Sequence, residues 1–221
     1  MLPRTPEPEL MDEAVQARAY ADADFDDVNQ GFVERFVELF PELRTGRVVD
    51  LGCGPGDIPI RLCRALPDLE VVGIDGAESM LEIGRRDVEA AGLGGRIDLV
   101  CDRLPLERHR FGEMNAAISN SLLHHLHDPM VLWTTIVELT RPGAPILVVD
   151  LFRPESAEQV DALVEMYAKD EAPVLKRDFH ASLHAAFTLD EVRQQLALAG
   201  LGALTVETIS DRHLEVTGNR P

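Results

Sequence analysis

The chain contains little cysteine and no long apolar run. Its 221 residues include three cysteines, Cys53, Cys63 and Cys101, which are odd in number and form no C-x-x-C pair. Neither a disulfide framework nor a zinc ribbon is therefore indicated, and a reducing cytoplasm is the simplest expected location. No stretch approaches the ~20 apolar residues of a membrane span. The proline-rich start also lacks the apolar stretch and basic flank of a signal peptide.

Basic residues are scarce as well. Lysine and arginine total 21 against 39 aspartates and glutamates, which gives a net charge of −18. A field of that sign repels nucleic acid and anionic membrane surfaces. Apolar residues make up 45% of the chain, enough for the core of one α/β domain with a modest extra lobe. We expect a small-molecule substrate, no nucleic acid or membrane partner, and a monomer or homodimer.

The most informative stretch runs from Val48 to Asp57 and reads V-V-D-L-G-C-G-P-G-D. It predicts a short apolar strand that runs into a glycine-rich turn and then a helix. This is the edge where an open parallel sheet binds its ligand. The dinucleotide fingerprint G-x-G-x-x-G would need glycine where Asp57 stands, and Asp50 before the turn would repel a pyrophosphate. Three glycines let the backbone turn sharply and approach a ligand: Gly52, Gly54 and Gly56.

The sequence D-L-G-C-G-P-G-D resembles the first motif of class I S-adenosylmethionine-dependent methyltransferases. In that family the loop packs against the amino-acid part of the cofactor, which carries an ammonium and no phosphate, so an acid at position 50 fits. The resemblance implies an enzyme that binds S-adenosylmethionine and moves its methyl group to a small acceptor. It also implies a Rossmann-like α/β fold, with a doubly wound, seven-stranded, mostly parallel sheet whose last strand is antiparallel. The specific resemblance covers residues 46–152.

Later strand ends supply further predicted contacts. Asp75 ends a buried strand roughly 20 residues past the glycines, where a carboxylate can accept hydrogen bonds from a ribose diol; its alternative role is to cap the next helix. In the family an acid at the next strand end bonds the adenine, which makes Asp102 the candidate. The segment N-S-L-L-H-H-L-H-D-P, after the fourth strand, resembles the family motif above the sulfonium. The predicted cofactor-binding residues are Asp50, Gly52, Gly54, Gly56, Asp75, Gly76, Met80, Asp102, Arg103, Leu104, Asn120 and Ser121.

Five of the seven histidines fall in two clusters, and three interpretations stay open. They could be exposed or capping residues. They could act on the methyl acceptor, because methyl transfer needs a positioned nucleophile and, for a hydroxyl or amine, removal of a proton. On this interpretation His124 and His125 are the predicted catalytic residues. The third interpretation is a metal site, since His180 and His184 stand i, i+4. No third ligand is assured, so no residue is assigned as a metal ligand.

The segments that flank the core are expected to build the acceptor pocket. Residues 1–45 predict an extended, poorly ordered arm over 1–9 and two lid helices, the first over Leu10–Ala19, with Tyr20 and Phe25 at their junction facing the substrate. Residues 46–221 form the predicted methyltransferase domain. Within it, 151–187 exceed a simple connection and predict a helical insertion, where His180 and His184 would contact the substrate. Two alternatives remain: a related transferase, such as an aminopropyl transferase, and a regulatory protein that binds S-adenosylmethionine without catalysis.

Overall fold

A seven-stranded sheet, in the order β3-β2-β1-β4-β5-β7-β6, forms the centre of the structure, a computed structural model that describes residues 2–7, 26–106 and 108–221. Strands β1 to β5 run parallel, and β7 pairs antiparallel with both β5 and β6. The predicted fold is confirmed. The strands are β1 (Thr45–Leu51), β2 (Asp68–Asp75), β3 (Ile97–Cys101), β4 (Ala116–Asn120), β5 (Pro145–Leu151), β6 (Thr205–Thr208) and β7 (His213–Asn219).

Helices cover both faces of this sheet because its central strands are apolar on both sides. Successive side chains of β1 point to opposite faces, so Val48 packs in one buried cluster and Val49 in another. The first cluster includes α1, α2 and α3, and the second includes α5 and α8. The helices are α1 (Asp26–Leu39), α2 (Asp57–Ala65), α3 (Glu78–Ala90), α4 (Arg108–Phe111), α5 (Met130–Leu139), α6 (Ala157–Tyr167), α7 (Pro173–Ala185) and α8 (Leu189–Leu198).

The strand ends that could bind a ligand lie at one edge of the sheet. The carboxyl ends of the five parallel strands meet there, and ligands of open α/β sheets bind outside such ends. Because β7 is antiparallel, its first residue lies at the same edge, with His213 in register with Leu151 of β5. Within the described ranges, no helix is both long and apolar enough to cross a membrane.

The N-terminal residues 2–7 pack against the helical insertion. Leu2 contacts a small apolar cluster formed by α6 and α7. The Arg4 side chain donates to the carbonyl of Ala185 at 2.6 Å, and the Thr5 amide donates to the carbonyl of His184 at 3.0 Å. The expectation of a poorly ordered arm is therefore wrong for residues 2–7. The predicted helix over Leu10–Ala19 lies outside the described residues.

Candidate functional site

A cavity of about 650 Å³ opens at the carboxyl edge of the sheet. Its volume lies within the ~300–1,000 Å³ of typical small-molecule sites. Its lining comes from the glycine loop and the ends of β2, β3 and β4, and also from α6, α7 and the start of β7. The predicted cofactor residues in its lining are Gly52, Gly54, Asp75, Gly76, Met80, Asp102, Arg103, Leu104, Asn120 and Ser121; His124 and His125 line it too.

The glycine loop has the backbone that its sequence predicts. Gly52, Gly54 and Gly56 have φ values of 76°, 52° and 79°, in the region that only glycine adopts readily. A Cβ on Gly52 would lie 2.8 Å from Leu122, so a side chain there would collide with the loop after β4. A Cβ on Gly54 would point into open space, more than 4 Å from any described heavy atom. The backbone at Gly54 is therefore exposed to a ligand.

Asp75 holds this loop in place. Its Oδ2 accepts from the Gly54 amide at 2.8 Å, and its Oδ1 accepts from the Ala77 amide at 2.8 Å, just before α3. The carboxylate thus braces the loop and the start of the next helix while it also lines the cavity. Each carboxylate oxygen has a second lone pair. A ribose diol could still bond to Asp75 without displacing either amide.

Two predicted cofactor residues do not line the cavity. Asp50 lies beneath the loop with 2% of its surface exposed, and its Oδ2 meets no hydrogen-bond donor among the described residues. Burial, and then the negative charge of Asp75, raise the pKa of Asp50 to about 8. Gly56 faces β3 instead, where a Cβ would lie 3.3 Å from the Leu99 side chain. Its role in the structure is close packing between the loop and the sheet.

The raised pKa of Asp50 gives a stability prediction. Because the pKa of about 8 in the folded protein exceeds the ordinary aspartate pKa of 3.8, the folded protein holds a proton that the unfolded chain releases. Wild-type stability should therefore fall as pH rises from about 4 to about 8. Asp50→Asn should lose this dependence, so its melting temperature relative to wild type should rise across that window. Thermal melts at pH 4.5, 6 and 8, with Asp98→Asn at an exposed site as control, test this; a pH-independent difference would contradict it.

Asp102 and Ser121 show how the other strand ends are fixed. Asp102 Oδ1 accepts from the Arg103 amide at 2.8 Å, and its Oδ2 pairs with Arg110. Ser121 has φ 58°, an uncommon value for a residue other than glycine. Its amide donates to the carbonyl of Val149 at 2.9 Å, which ties the loop to β5. Such strained positions cluster at ligand sites.

His124 lines the cavity and lies between two carboxylates. Asp150 Oδ1 lies 2.6 Å from His124 Nδ1, and Glu7 Oε1 lies 3.7 Å from His124 Nε2. Asp150 also accepts from the amides of Leu123 at 2.7 Å and Leu151 at 2.7 Å, which fix its carboxylate. Burial alone would lower the pKa of His124, but Asp150 and then Glu7 outweigh it and raise that pKa.

Glu7 reaches this position because residues 2–7 are tied to the histidine loop. Arg4 donates to the carbonyls of His124 at 3.1 Å and Leu126 at 2.9 Å. Ser182 Oγ donates to Glu7 Oε1 at 3.0 Å, and the same oxygen lies 3.2 Å from His125 Nδ1. Burial raises the pKa of Glu7, and the charge of His124 partly offsets this.

Sequence reasoning missed both carboxylates. Asp150 stands near the end of β5, so its strand-end position was a usable signal once the sheet order was assumed. Glu7 gives no local signal, because nothing in a proline-rich start indicates where its side chain packs. The start of β7 was missed too: Arg212 and His213 line the cavity, with the Arg212 guanidinium 3.4 Å from the centre of the Tyr167 ring. Burial, reinforced by Arg212, lowers the pKa of His213 to about 4.

The predicted substrate contacts in α7 are not among the cavity residues. His180 and His184 lie on α7, and His180 Nε2 stands 3.6 Å from Asp161. The face of α7 that lines the cavity carries Leu175, Asp178, Phe179 and Ser182 instead. An α-helix has 3.6 residues per turn, so His180 and His184 project from a different face of α7 than the four residues that line the cavity. The other predicted contacts, Tyr20 and Phe25, lie outside the described residues.

The known proteins to which this chain is similar are methyltransferases. Residues 48–143 match a family model described as a methyltransferase domain. A demethylmenaquinone methyltransferase of Porphyromonas gingivalis is 28% identical over 148 residues, which cover 65% of this chain and 59% of that enzyme. An O-methyltransferase of Aspergillus nomiae is 24% identical over 172 residues, 75% of each chain.

A solved structure shares the fold. The S-adenosylmethionine-dependent methyltransferase from Aquifex aeolicus superposes with a TM-score of 0.67 at 16% sequence identity, over 95% of this chain and 99% of that chain. At that identity the likeness bears on the fold alone. The chain spans 59% of the Porphyromonas gingivalis relative and 44% of a second relative from Geobacter sulfurreducens.

Proposed function

We propose that this chain, whose residues 48–143 form a class I S-adenosylmethionine-dependent methyltransferase domain, transfers the methyl group of S-adenosylmethionine to a small-molecule acceptor. One observation carries the proposal. A single cavity is lined by the glycine loop, by acids at successive strand ends, and by the buried His124 and the half-buried His125. The loop end suits a cofactor and the histidine end suits an acceptor, so the two reactants would meet between them.

The charges near the loop fit this cofactor. Two strand-end acids, Asp75 and Asp102, line the cavity. S-adenosylmethionine carries an ammonium and a sulfonium, which such a field attracts, whereas a pyrophosphate would be repelled. The bound cofactor would supply an activated methyl group for in-line transfer to a nucleophile. Its adenosine part would lie between Asp75 and Asp102, with Met80 and Leu104 against the adenine.

The chain's remaining work is to hold the acceptor and act on its proton. We propose His124 and His125 for this work, because both line the cavity beside α7, where Glu7 contacts both Ser182 and His125; we assign the acceptor to this end. Apolar and aromatic side chains surround that end, among them Leu175, Tyr167 and Phe179. These surfaces favour a flat, largely apolar acceptor with an ionisable hydroxyl, such as a phenol or a quinol. Of the two relatives, one is named for a quinone acceptor and the other for transfer to oxygen.

We also propose that the flanking segments complete the acceptor pocket. Val28 and Asn29 of α1 line the cavity from one side, and the α6–α7 insertion lines it from the other. Both segments therefore line the same cavity as the glycine loop and the histidines. The three free cysteines fit the reducing cytoplasm that we propose as the working compartment.

The proposal is tested by incubating the protein with methyl-labelled S-adenosylmethionine and a panel of phenols and quinols. We expect label to move to at least one hydroxylated aromatic compound, with one S-adenosylhomocysteine formed per methyl group transferred. Binding of S-adenosylhomocysteine without transfer to the panel or to a metabolite extract would instead favour a regulatory protein. Transfer of an aminopropyl group from the decarboxylated cofactor would favour the related transferase. Failure to bind S-adenosylhomocysteine would overturn all three.

A further inference from the structure

Three metal-binding side chains converge at the acceptor end of the cavity. Glu7 Oε1 lies 3.2 Å from His125 Nδ1 and 3.7 Å from His124 Nε2, and one ligand atom from each residue lies within 4.8 Å of the others. A tetrahedral ion with bonds of ~2.0–2.1 Å needs ligand atoms about 3.3 Å apart. The Glu7 distances to the two histidines already match that spacing to within a few tenths of an ångström.

Asp150 fixes the tautomer of His124 that can bind a metal through Nε2. Its carboxylate lies 2.6 Å from Nδ1, so Nδ1 carries the proton and the lone pair of the neutral ring is on Nε2. A carboxylate behind a ligating histidine is the usual support of a protein-bound metal. On the other side, the Nε2 lone pair faces the Glu7 carboxylate. Two electron-rich atoms so placed need a cation between them, either a proton or a metal ion.

The rest of the cluster is held ready for an ion. Glu7 is fixed by the hydroxyl of Ser182, and its segment is fixed by Arg4. The side chains of Glu7, His124 and His125 are 10%, 4% and 15% exposed, so water competes little for the ion. Three ligands from two distant parts of the chain therefore need little rearrangement to bind it, which favours affinity.

We propose that Glu7, His124 and His125 bind a divalent transition-metal ion, with zinc as the best match. Two imidazoles and one carboxylate are a ligand set of catalytic zinc sites, in which a fourth position stays open for water or substrate. Both histidines line the cavity, so the open position is available to an acceptor there. A hydroxyl bound to the ion would lose its proton to water in the open cavity at much lower pH than a free hydroxyl does. His124 then acts on the acceptor through the ion and not as a proton acceptor.

Metal binding itself does not depend on methyl transfer, whereas the role of the ion in activating the acceptor rests on the proposed function. The two are therefore tested separately. Zinc chloride is titrated calorimetrically into the full chain after chelator treatment and dialysis. We expect one zinc ion per chain. Cobalt(II) in its place should give the visible absorption bands of a tetrahedral site with nitrogen and oxygen ligands.

Variants identify the ligands. Glu7→Gln keeps the shape of the side chain and its contact with Ser182 but loses the charge, and it should weaken zinc binding at least 10-fold, as should His125→Ala. Asp150→Asn, which alters the support of His124, should weaken it by ~10–100-fold. His180→Ala and His184→Ala form the matched control, because that pair lies on α7 outside the cavity lining, and both should bind zinc like wild type.

Two results would overturn the metal site: no zinc binding by the wild-type chain, or equal weakening by the α7 control variants. Thermal melts of each metal-free variant show that a loss of binding is not a loss of fold. S-adenosylhomocysteine affinity is measured on the same metal-free samples. A chain that binds this product but no zinc disproves the metal site and leaves the proposed function standing. A chain that binds zinc but transfers no methyl group does the reverse.

Discussion

Replacing His124 with alanine should lower methyl-transfer turnover by roughly 10²–10⁴-fold while S-adenosylhomocysteine affinity stays nearly unchanged. The imidazole lies between Asp150 and Glu7, and it makes none of the hydrogen bonds that hold the glycine loop and Asp75. Its loss removes the group that acts on the acceptor, through a proton or through the bound ion. Turnover is measured with the acceptor that the labelled-cofactor assay identifies, and affinity is measured by calorimetry.

The control must separate a lost function from a damaged fold. His124 is buried, and alanine leaves the Asp150 carboxylate without its imidazole partner, which costs stability. His124→Gln keeps a polar group next to Asp150 and should lower turnover similarly with a smaller fall in melting temperature. His184→Ala should leave turnover unchanged. Full turnover in both His124 variants would exclude this residue from the reaction.

Chelation then tells the two roles of His124 apart. If the ion acts on the acceptor, wild-type turnover should fall after chelator treatment and return with zinc, and Glu7→Gln should reproduce the loss. If His124 accepts the proton directly, the chelated enzyme should remain active. That second outcome would contradict the catalytic role of the metal while leaving the histidine prediction intact.

The parts of the site that could be predicted from the sequence are those whose positions follow from the order and direction of the strands. Strand ends in a parallel sheet share one edge, so reading Asp75 and Asp102 at the ends of apolar strands was enough to bring them together. The glycine positions were predictable because positive φ values are a backbone property of the turn. Asp50 shows the limit of this reasoning. Its place in the motif suggests a direct contact with the cofactor. Asp50 lies within β1, however, and its carboxyl group is buried beneath the glycine loop.

The acceptor end depended on contacts between distant parts of the chain. Glu7 reaches the histidines only because Arg4 and Thr5 bond to the loop after β4 and to the end of α7. His213 reaches the cavity only because β7 is antiparallel. No local pattern encodes either pairing. The helical spacing of His180 and His184 was read correctly, but spacing cannot show which face of α7 points toward the cavity.

Replacing Asp75 with alanine should weaken S-adenosylhomocysteine binding by about 1.5–3 kcal/mol, or roughly 10–150-fold. Two causes could produce this loss, because Asp75 braces the glycine loop through the Gly54 amide and is also the predicted partner of the ribose hydroxyls. A loss of affinity alone therefore does not identify the contact. The affinity of a ligand that lacks the ribose hydroxyls must therefore be measured as well.

A 2′,3′-dideoxy analogue of S-adenosylhomocysteine separates these causes through a cycle of four affinities. If Asp75 bonds to the ribose, the analogue should bind wild type about 10-fold or more weakly than the parent ligand, and Asp75→Ala should bind both ligands alike. If Asp75 only braces the loop, the substitution should weaken both ligands by the same factor. Coupling between the two changes measures the contact itself, because effects on the loop cancel. We expect coupling of at least about 1.4 kcal/mol, which corresponds to the 10-fold difference and is near the lower limit for a hydrogen bond to a charged group; additive losses would exclude the ribose contact and leave Asp75 as a support of the loop.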